Sequence, residues 1–253
     1  MKKRQKYRHI FFDLDHTLWD FERNANECLV EIYEKFSLKS LSPKTENELS
    51  NSLTINKLDD FLLAFDTENR KLWSLLDKRK ITHQELRKRR FKESLAVLEI
   101  EVDEDFSDKM NDEFLRLLPL KSHLIDGAIE VLDYLLPKYN LHIITNGFDE
   151  IQATKMASAE IQHYFGEVIT NEKANARKPE KEIFEFALKT ANAKLEESIM
   201  IGDNYEADIL GAISAGMDSV FYNADNTERR PQQVTHQKPT FEIFHLVELM
   251  EIL

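Results

Sequence analysis

With 253 residues the chain exceeds a typical single domain and leaves room for one large domain or two modest ones. Its 42% hydrophobic content, with sixteen Phe, can furnish a core and argues against an intrinsically disordered chain, while 32% charged residues keep the surface hydrated. A net charge of −12 argues against a protein that coats nucleic acid, whose affinity comes from neutralising phosphates, but suits a site where carboxylates hold a cation.

The N-terminus, Lys2-Lys3-Arg4-Gln5-Lys6-Tyr7-Arg8, is basic, and the apolar run behind it stops at Asp13. That is too short for a signal-peptide core, and nothing elsewhere approaches a membrane span. Cys28 is the only cysteine, so no internal disulfide and no cysteine-based zinc site can form. The expectation is a cytoplasmic protein with no membrane and no nucleic-acid partner.

His9–Phe12 is the first predicted strand. From about Asp20 to Pro119 no strand is convincing and helical signatures recur. Thr45-x-x-Glu48 and Thr82-x-x-Glu85 read as capping boxes, and Phe106, Met110, Phe114, Leu117 and Leu118 form an apolar helix stripe. Arg87-Lys88-Arg89-Arg90 reads as a solvated helix face, with steering of anionic substrates as the weaker alternative. Beyond it come four more predicted strands, Leu141–Thr145, Glu167–Thr170, Ser198–Ile201 and Ser219–Tyr222, apolar at consecutive positions as parallel strands covered on both faces should be. Helices alternate with them. Asp126 is placed to cap one with apolar Ile129, Leu132, Leu135 and Leu136, and Pro179 to open another carrying Ile183, Phe184, Ala187, Leu188 and Ala191. The pattern predicts an α/β fold: a Rossmann-like, doubly wound parallel sheet from residues 1–19 and 120–253, with an all-helical domain, 20–119, inserted after the first strand.

Polar residues cluster where the predicted strands end. Asp13 and Asp15 follow the first strand and, in an extended chain, point to the same side; buried together they need a cation or hydrogen bonds, although Asp-x-Asp alone can be two loop acids. Thr145-Asn146-Gly147 can cradle an anion or simply turn. Lys178, just before Pro179, can reach a phosphate beside a helix N-terminus or sit on the surface. Gly202-Asp203 ends the fourth strand, with Asp208 in the turn that follows, where Asp203 or Asn204 can alternatively cap a helix.

In order, Asp-x-Asp-x-Thr, Thr-Asn-Gly, Lys-Pro and Gly-Asp-x-x-x-x-Asp make the chain resemble the haloacid dehalogenase superfamily of phosphotransferases over essentially its whole length. The resemblance implies a central first strand flanked by the Thr145 and Asp203 strands, and makes the helical insertion a cap domain. It implies that Asp13 is the nucleophile, forming an aspartyl-phosphate, and that Asp15 protonates the leaving oxygen and then activates water. Thr145, the Asn146 backbone and Lys178 would hold the phosphoryl oxygens. Asp13, the Asp15 carbonyl and Asp203 would ligate Mg²⁺, supported by Asp208. Such oxygen-only ligands favour Mg²⁺ over zinc. His16 departs from the pattern, standing where Gly or an acid is more frequent, and is read as facing solvent rather than touching substrate. The acid at position 15 is what phosphatase chemistry wants and counts against a dehalogenase.

Thr17-Leu18-Trp19-Asp20-Phe21, Ile144-Thr145-Asn146-Gly147-Phe148-x-x-Ile151-Gln152 and Gly216-Met217 are similar to the bacterial pyrimidine 5′-nucleotidase branch. That implies a pyrimidine nucleoside monophosphate as the small-molecule partner. Trp19 and Phe21 could stack on its base or pack the hinge between core and cap. Alternatives are a phosphatase of sugar phosphates or other small metabolites, a phosphomutase, or a non-enzymatic binding protein of the same fold, against which the full set Asp13, Asp15, Lys178 and Asp203 counts.

Overall fold

The computed structural model describes residues 6–41, 57–224 and 237–253. The chain divides into two compact units, residues 1–22 with 119–253, and residues 23–118. The Thr45–Glu48 capping box lies outside the described residues.

The first unit is built on a sheet of six parallel strands: β1 (His9–Phe12), β2 (Asn140–Thr145), β3 (Phe165–Thr170), β4 (Ser198–Gly202), β5 (Asp218–Tyr222) and β6 (Phe241–Ile243). Their order is β3-β2-β1-β4-β5-β6. The chain winds outward from β1 in one direction, then returns to β1's other side and winds outward again, so the switch point lies at β1. Ile10, Phe11 and Phe12 are fully buried, which explains why the strand is apolar at every position. On one face Phe11, Ile144, Ile169 and Met200 pack with Ile183, Phe184 and Ala187. The three-residue β6 escaped the sequence reading because so short a run carries no period.

Two helix starts differ from expectation. The helix after residue 120 runs Ala128–Leu135 with Gly127, at φ +81°, as its N-cap in place of Asp126. Its buried stripe is Ala128, Val131, Leu132 and Leu135, leaving Ile129 and Leu136 exposed. The later helix begins at Lys181, with Glu180 at the N-cap position and no side-chain cap; Pro179 belongs to the preceding turn, closed by the Glu180 N–H donating to the Arg177 carbonyl at 2.7 Å.

The second unit is helical: α1 (Phe21–Lys35, which starts in the first unit), α2 (Lys57–Asp77), α3 (His83–Val97) and α4 (Glu104–Leu117). Thr82 and Glu85 do form a capping box at the start of α3. Arg90 is a correction. Four consecutive helical residues sweep most of the circumference, so one of the four basic residues must turn inward. Arg90 does, donating twice to Asn111 Oδ1 at 2.8 and 2.6 Å, with its guanidinium 4.5 Å from the Phe114 ring centre. Burial lowers its pKa to about 9.

Below the sheet's working end, His9 Nδ1 and His142 Nε2 lie 3.1 Å apart, and the His142 ring stacks on Phe11. Burial, and then the neighbouring His9, depress the His142 pKa to about 4; burial also lowers His9, with Glu197 opposing and Arg8 assisting. A base depressed in the fold contributes stability that is complete above its unfolded pKa and declines as pH falls. Urea unfolding should therefore lose on the order of 2 kcal/mol between pH 7 and pH 4.5 that His142→Phe does not lose. Parallel pH profiles for the two proteins would contradict this.

Candidate active site

The loop after β1 is tightly folded. The Asp13 N–H continues the sheet by donating to the Ile201 carbonyl at 2.9 Å, and the Leu18 and Trp19 N–H groups both donate to the Leu14 carbonyl. His16 sits at φ +64°, a left-handed conformation that glycine adopts more readily. Thr17 is fully buried: its hydroxyl donates to Asp203 Oδ1 at 3.2 Å and accepts from the Asp203 N–H at 3.1 Å, tying the ends of β1 and β4 together.

Beside this tie, Asp13, Asp203 and Asp208 each bring one carboxylate oxygen within 4.8 Å of the others. Lys178, 2% exposed, lies among them, 2.7 Å from Asp13 Oδ1 and 2.6 Å from Asp208 Oδ1. It is no surface lysine. Burial alone would lower its pKa, but Asp13 and Asp208 outweigh that and hold it raised. Asp208 sits in a π-turn, Tyr205–Leu210, and accepts the Asn204 N–H at 2.9 Å with its second oxygen. A Cβ on Gly202 would come within 2.2 Å of that oxygen, so glycine is required here for Asp208 to fit. Burial, partly countered by Lys178 and reinforced by Asp208 and Asp15, pushes Asp13 up to about 7; burial and the charges of Asp13 and Asp208 raise Asp203 well above the carboxylate range. Crowded buried oxygens of this kind are the donor set a hard divalent cation such as Mg²⁺ takes.

At the end of β2, the Asn146 side chain grips the Lys178 backbone, accepting its N–H at 2.9 Å and donating to its carbonyl at 3.0 Å. The Thr145 hydroxyl accepts from the Gly147 N–H at 3.1 Å and from Gln152 Nε2 at 2.7 Å. Gln152 also donates to Asp15 Oδ2 at 2.9 Å, while Lys155 pairs with Asp15 Oδ1 at 2.5 Å. Burial would raise the Asp15 pKa, but Lys155 and Gln152 reverse the direction and hold it lowered. The seven residues singled out in the sequence thus fall in one place, at the carboxyl ends of β1, β2 and β4.

The sequence model of the haloacid dehalogenase-like hydrolases matches residues 7–216. The chain belongs to that family. Among haloacid dehalogenase-like hydrolases with assigned activities, it is 28% identical over 249 residues to pyrimidine 5′-nucleotidase PynA of Streptococcus pneumoniae, covering 98% of this chain and 95% of PynA. It is equally similar, at 28% over 249 residues, to pyrimidine 5′-nucleotidase YjjG of Escherichia coli, covering 98% of each chain. The magnesium-bound crystal structure of the HAD-hydrolase YfnB from Bacillus subtilis superposes with a TM-score of 0.80 at 27% identity, covering 98% of this chain and 99% of that one. L-2-haloacid dehalogenase from Xanthobacter autotrophicus shares the fold, at TM-score 0.70 and 16% identity.

Among neighbouring residues one open alternative is decided and one expectation changes. Trp19 is fully buried and donates Nε1–H to the Lys121 carbonyl at 3.2 Å, so it cannot stack on a ligand. His16 does not simply face solvent: half-buried, its ring lies 4.9 Å from Phe21. Gln152 and Lys155 went unassigned in the sequence. Their signal was there, in two polar residues, Gln152 and Lys155, sharing with Met156 the helix face where an apolar stripe belongs. Among the described residues no helix is long and apolar enough to cross a membrane.

Proposed function

We propose that this hydrolase is a Mg²⁺-dependent phosphomonoesterase that works through an aspartyl-phosphate on Asp13, and that its substrates are pyrimidine nucleoside 5′-monophosphates. The observation that carries the reading is the convergence of Asp13, Asp203, Asp208 and Lys178 at the switch point, with Asp15 two residues beyond Asp13. The nucleotide assignment is supported by full-length similarity to two pyrimidine 5′-nucleotidases.

In this reading a free Asp13 oxygen attacks phosphorus in line with the ester oxygen, which departs as Asp15, in the protonated fraction that its lowered pKa keeps small, delivers a proton to it. Asp15 then takes a proton from the water that attacks the acyl phosphate, releasing phosphate and restoring Asp13. Thr145, the Asn146 N–H and Lys178 hold the phosphoryl oxygens, and Asn146 also fixes Lys178 through its backbone. Asp13, the Asp15 carbonyl and Asp203 would hold Mg²⁺, with Asp208 bracing Lys178 and the β4 turn. Bound there, the cation would supply positive charge against the transferring group. The helical residues 20–119 serve as the cap. The protein works in the cytoplasm, where the buried Cys28 thiol stays reduced.

With Trp19 buried, Phe21, with His16 against it, is the one of the two aromatics after the catalytic loop left for a base. Phosphate release from UMP and dTMP is expected to exceed that from ribose 5-phosphate and glucose 6-phosphate about ten- to hundredfold in kcat/KM, the scale of one stacking contact kept in the transition state. Excess chelator should stop all four reactions. Equal rates on base-free sugars would shift the assignment to a sugar phosphatase, and undiminished turnover in chelator would end the metal reading.

A further inference from the structure

One helix, Asp149–Ser158, reaches across to both polar strand ends. Gln152 is fully buried, and its single amide nitrogen donates one hydrogen to Asp15 Oδ2 and the other to the Thr145 hydroxyl. Lys155, 3% exposed, takes the other Asp15 oxygen, with its ammonium 4.4 Å from the Trp19 ring centre and 5.6 Å from that of Phe21. Space for this is reserved in the backbone: a Cβ on Gly147 would lie 2.4 Å from Gln152 Nε2.

A lysine this deeply buried is costly, and Met would fill the volume against Trp19 without that cost. What Met could not do is hold a carboxylate. We propose that Gln152 and Lys155 are positioning residues that fix the Asp15 carboxylate at a set distance from the Thr145 hydroxyl. The proposal rests on the reading in which Thr145 binds the phosphoryl group and Asp15 serves the ester oxygen. Phosphorus is then referenced to Thr145 and the proton-transfer group to Asp15, and the Gln152 amide is the bar between them. Lys155 removes the remaining freedom of the carboxylate by anchoring its second oxygen. A misplacement of about 1 Å can cost about a hundredfold in rate, so such a bar matters to the chemistry.

The test separates acid–base placement from scaffolding by leaving group. Nitrophenolate departs without a proton, whereas the 5′-oxygen of UMP needs one. kcat/KM would be measured on UMP and on p-nitrophenyl phosphate for Lys155→Met, Lys155→Arg, Gln152→Met and, as reference, Asp15→Asn. Lys155→Met and Gln152→Met are expected to lose about 10- to 100-fold on UMP and far less on p-nitrophenyl phosphate, with Lys155→Arg recovering most of the loss. Equal losses on both substrates would reduce the pair to scaffold, and unchanged rates would overturn the proposal outright. If Lys155→Met does not fold, the uncharged Gln152→Met exchange decides by the same ratio. Asp15→Asn distinguishes the two levels. A leaving-group effect there but in neither positioning variant refutes the positioning role alone. Its absence from Asp15→Asn refutes the acid–base reading and takes this proposal with it.

Discussion

Asp13→Asn is expected to lower phosphate release by about 10⁴-fold or more, the scale on which an enzyme loses its nucleophile, because an amide oxygen cannot form the acyl phosphate. The same substitution should not weaken the apo fold. A carboxyl held at about 7 is costlier to ionise in the folded protein than in water, so at pH 8 the charge on Asp13 works against folding. The neutral isostere removes that cost and leaves Lys178 paired with Asp208. In chelator at pH 8 the thermal midpoint of Asp13→Asn should match or exceed that of the wild type, and the rise on adding Mg²⁺ should shrink with the loss of a ligand. A variant that turns over at wild-type rates would remove Asp13 from the mechanism. One with a large Mg²⁺-induced rise left intact would remove it from the ligand set.

Lys178→Met should be damaging in both respects. Lys178 is the cation that Asp13 and Asp208 share, and Asp208 is wholly buried. Removing one partner of a buried pair costs about 3–5 kcal/mol because the other charge is stranded. Turnover should fall by about 10²–10³-fold or more through loss of a donor to the phosphoryl oxygens. The stability loss has a sign in pH. Asp13 and Asp203 already have raised pKa values, and without Lys178 the carboxylates would be raised further. Acids raised in the fold favour it when protonated, and that contribution disappears as pH rises through their folded pKa. The deficit relative to wild type, measured by thermal unfolding in chelator, should therefore be larger at pH 8 than at pH 5.5. An equal deficit at both, or none, would contradict the role of Lys178 as counter-charge.

The effects of these substitutions follow from burial, which the sequence did not disclose. Lys178 has the sequence context of an ordinary surface lysine before a proline, and its 2% exposure depends on being enclosed by Asp13, Asp208 and Asn146. Asp15 and Lys155 are 140 positions apart, and nothing in either local sequence names the other. Arg90 looked like one of four solvated charges, yet its place on the Leu86–Phe91–Leu95 side of its helix carried it inward to Asn111. Trp19 was legible as an aromatic near the catalytic loop. Whether it met ligand or core depended on the Lys121 carbonyl, a hundred residues away in the chain.

By itself the sequence determined the class of fold and the place of the chemistry. Strands buried on both faces must be apolar at consecutive positions, so β1, β2, β4 and β5 could be read from their apolar runs and the edge strand β3 from its buried end, and polar residues that interrupt such runs at their ends mark the carboxyl edge of the sheet. Only the tertiary structure decided which of those polar residues face one another, which are dry, and how far each carboxyl departs from its ordinary pKa. The physical reason is range. Periodicity and capping act within a few residues, whereas desolvation and charge pairing are properties of the enclosed volume, which exists only once β1, β2 and β4 lie side by side.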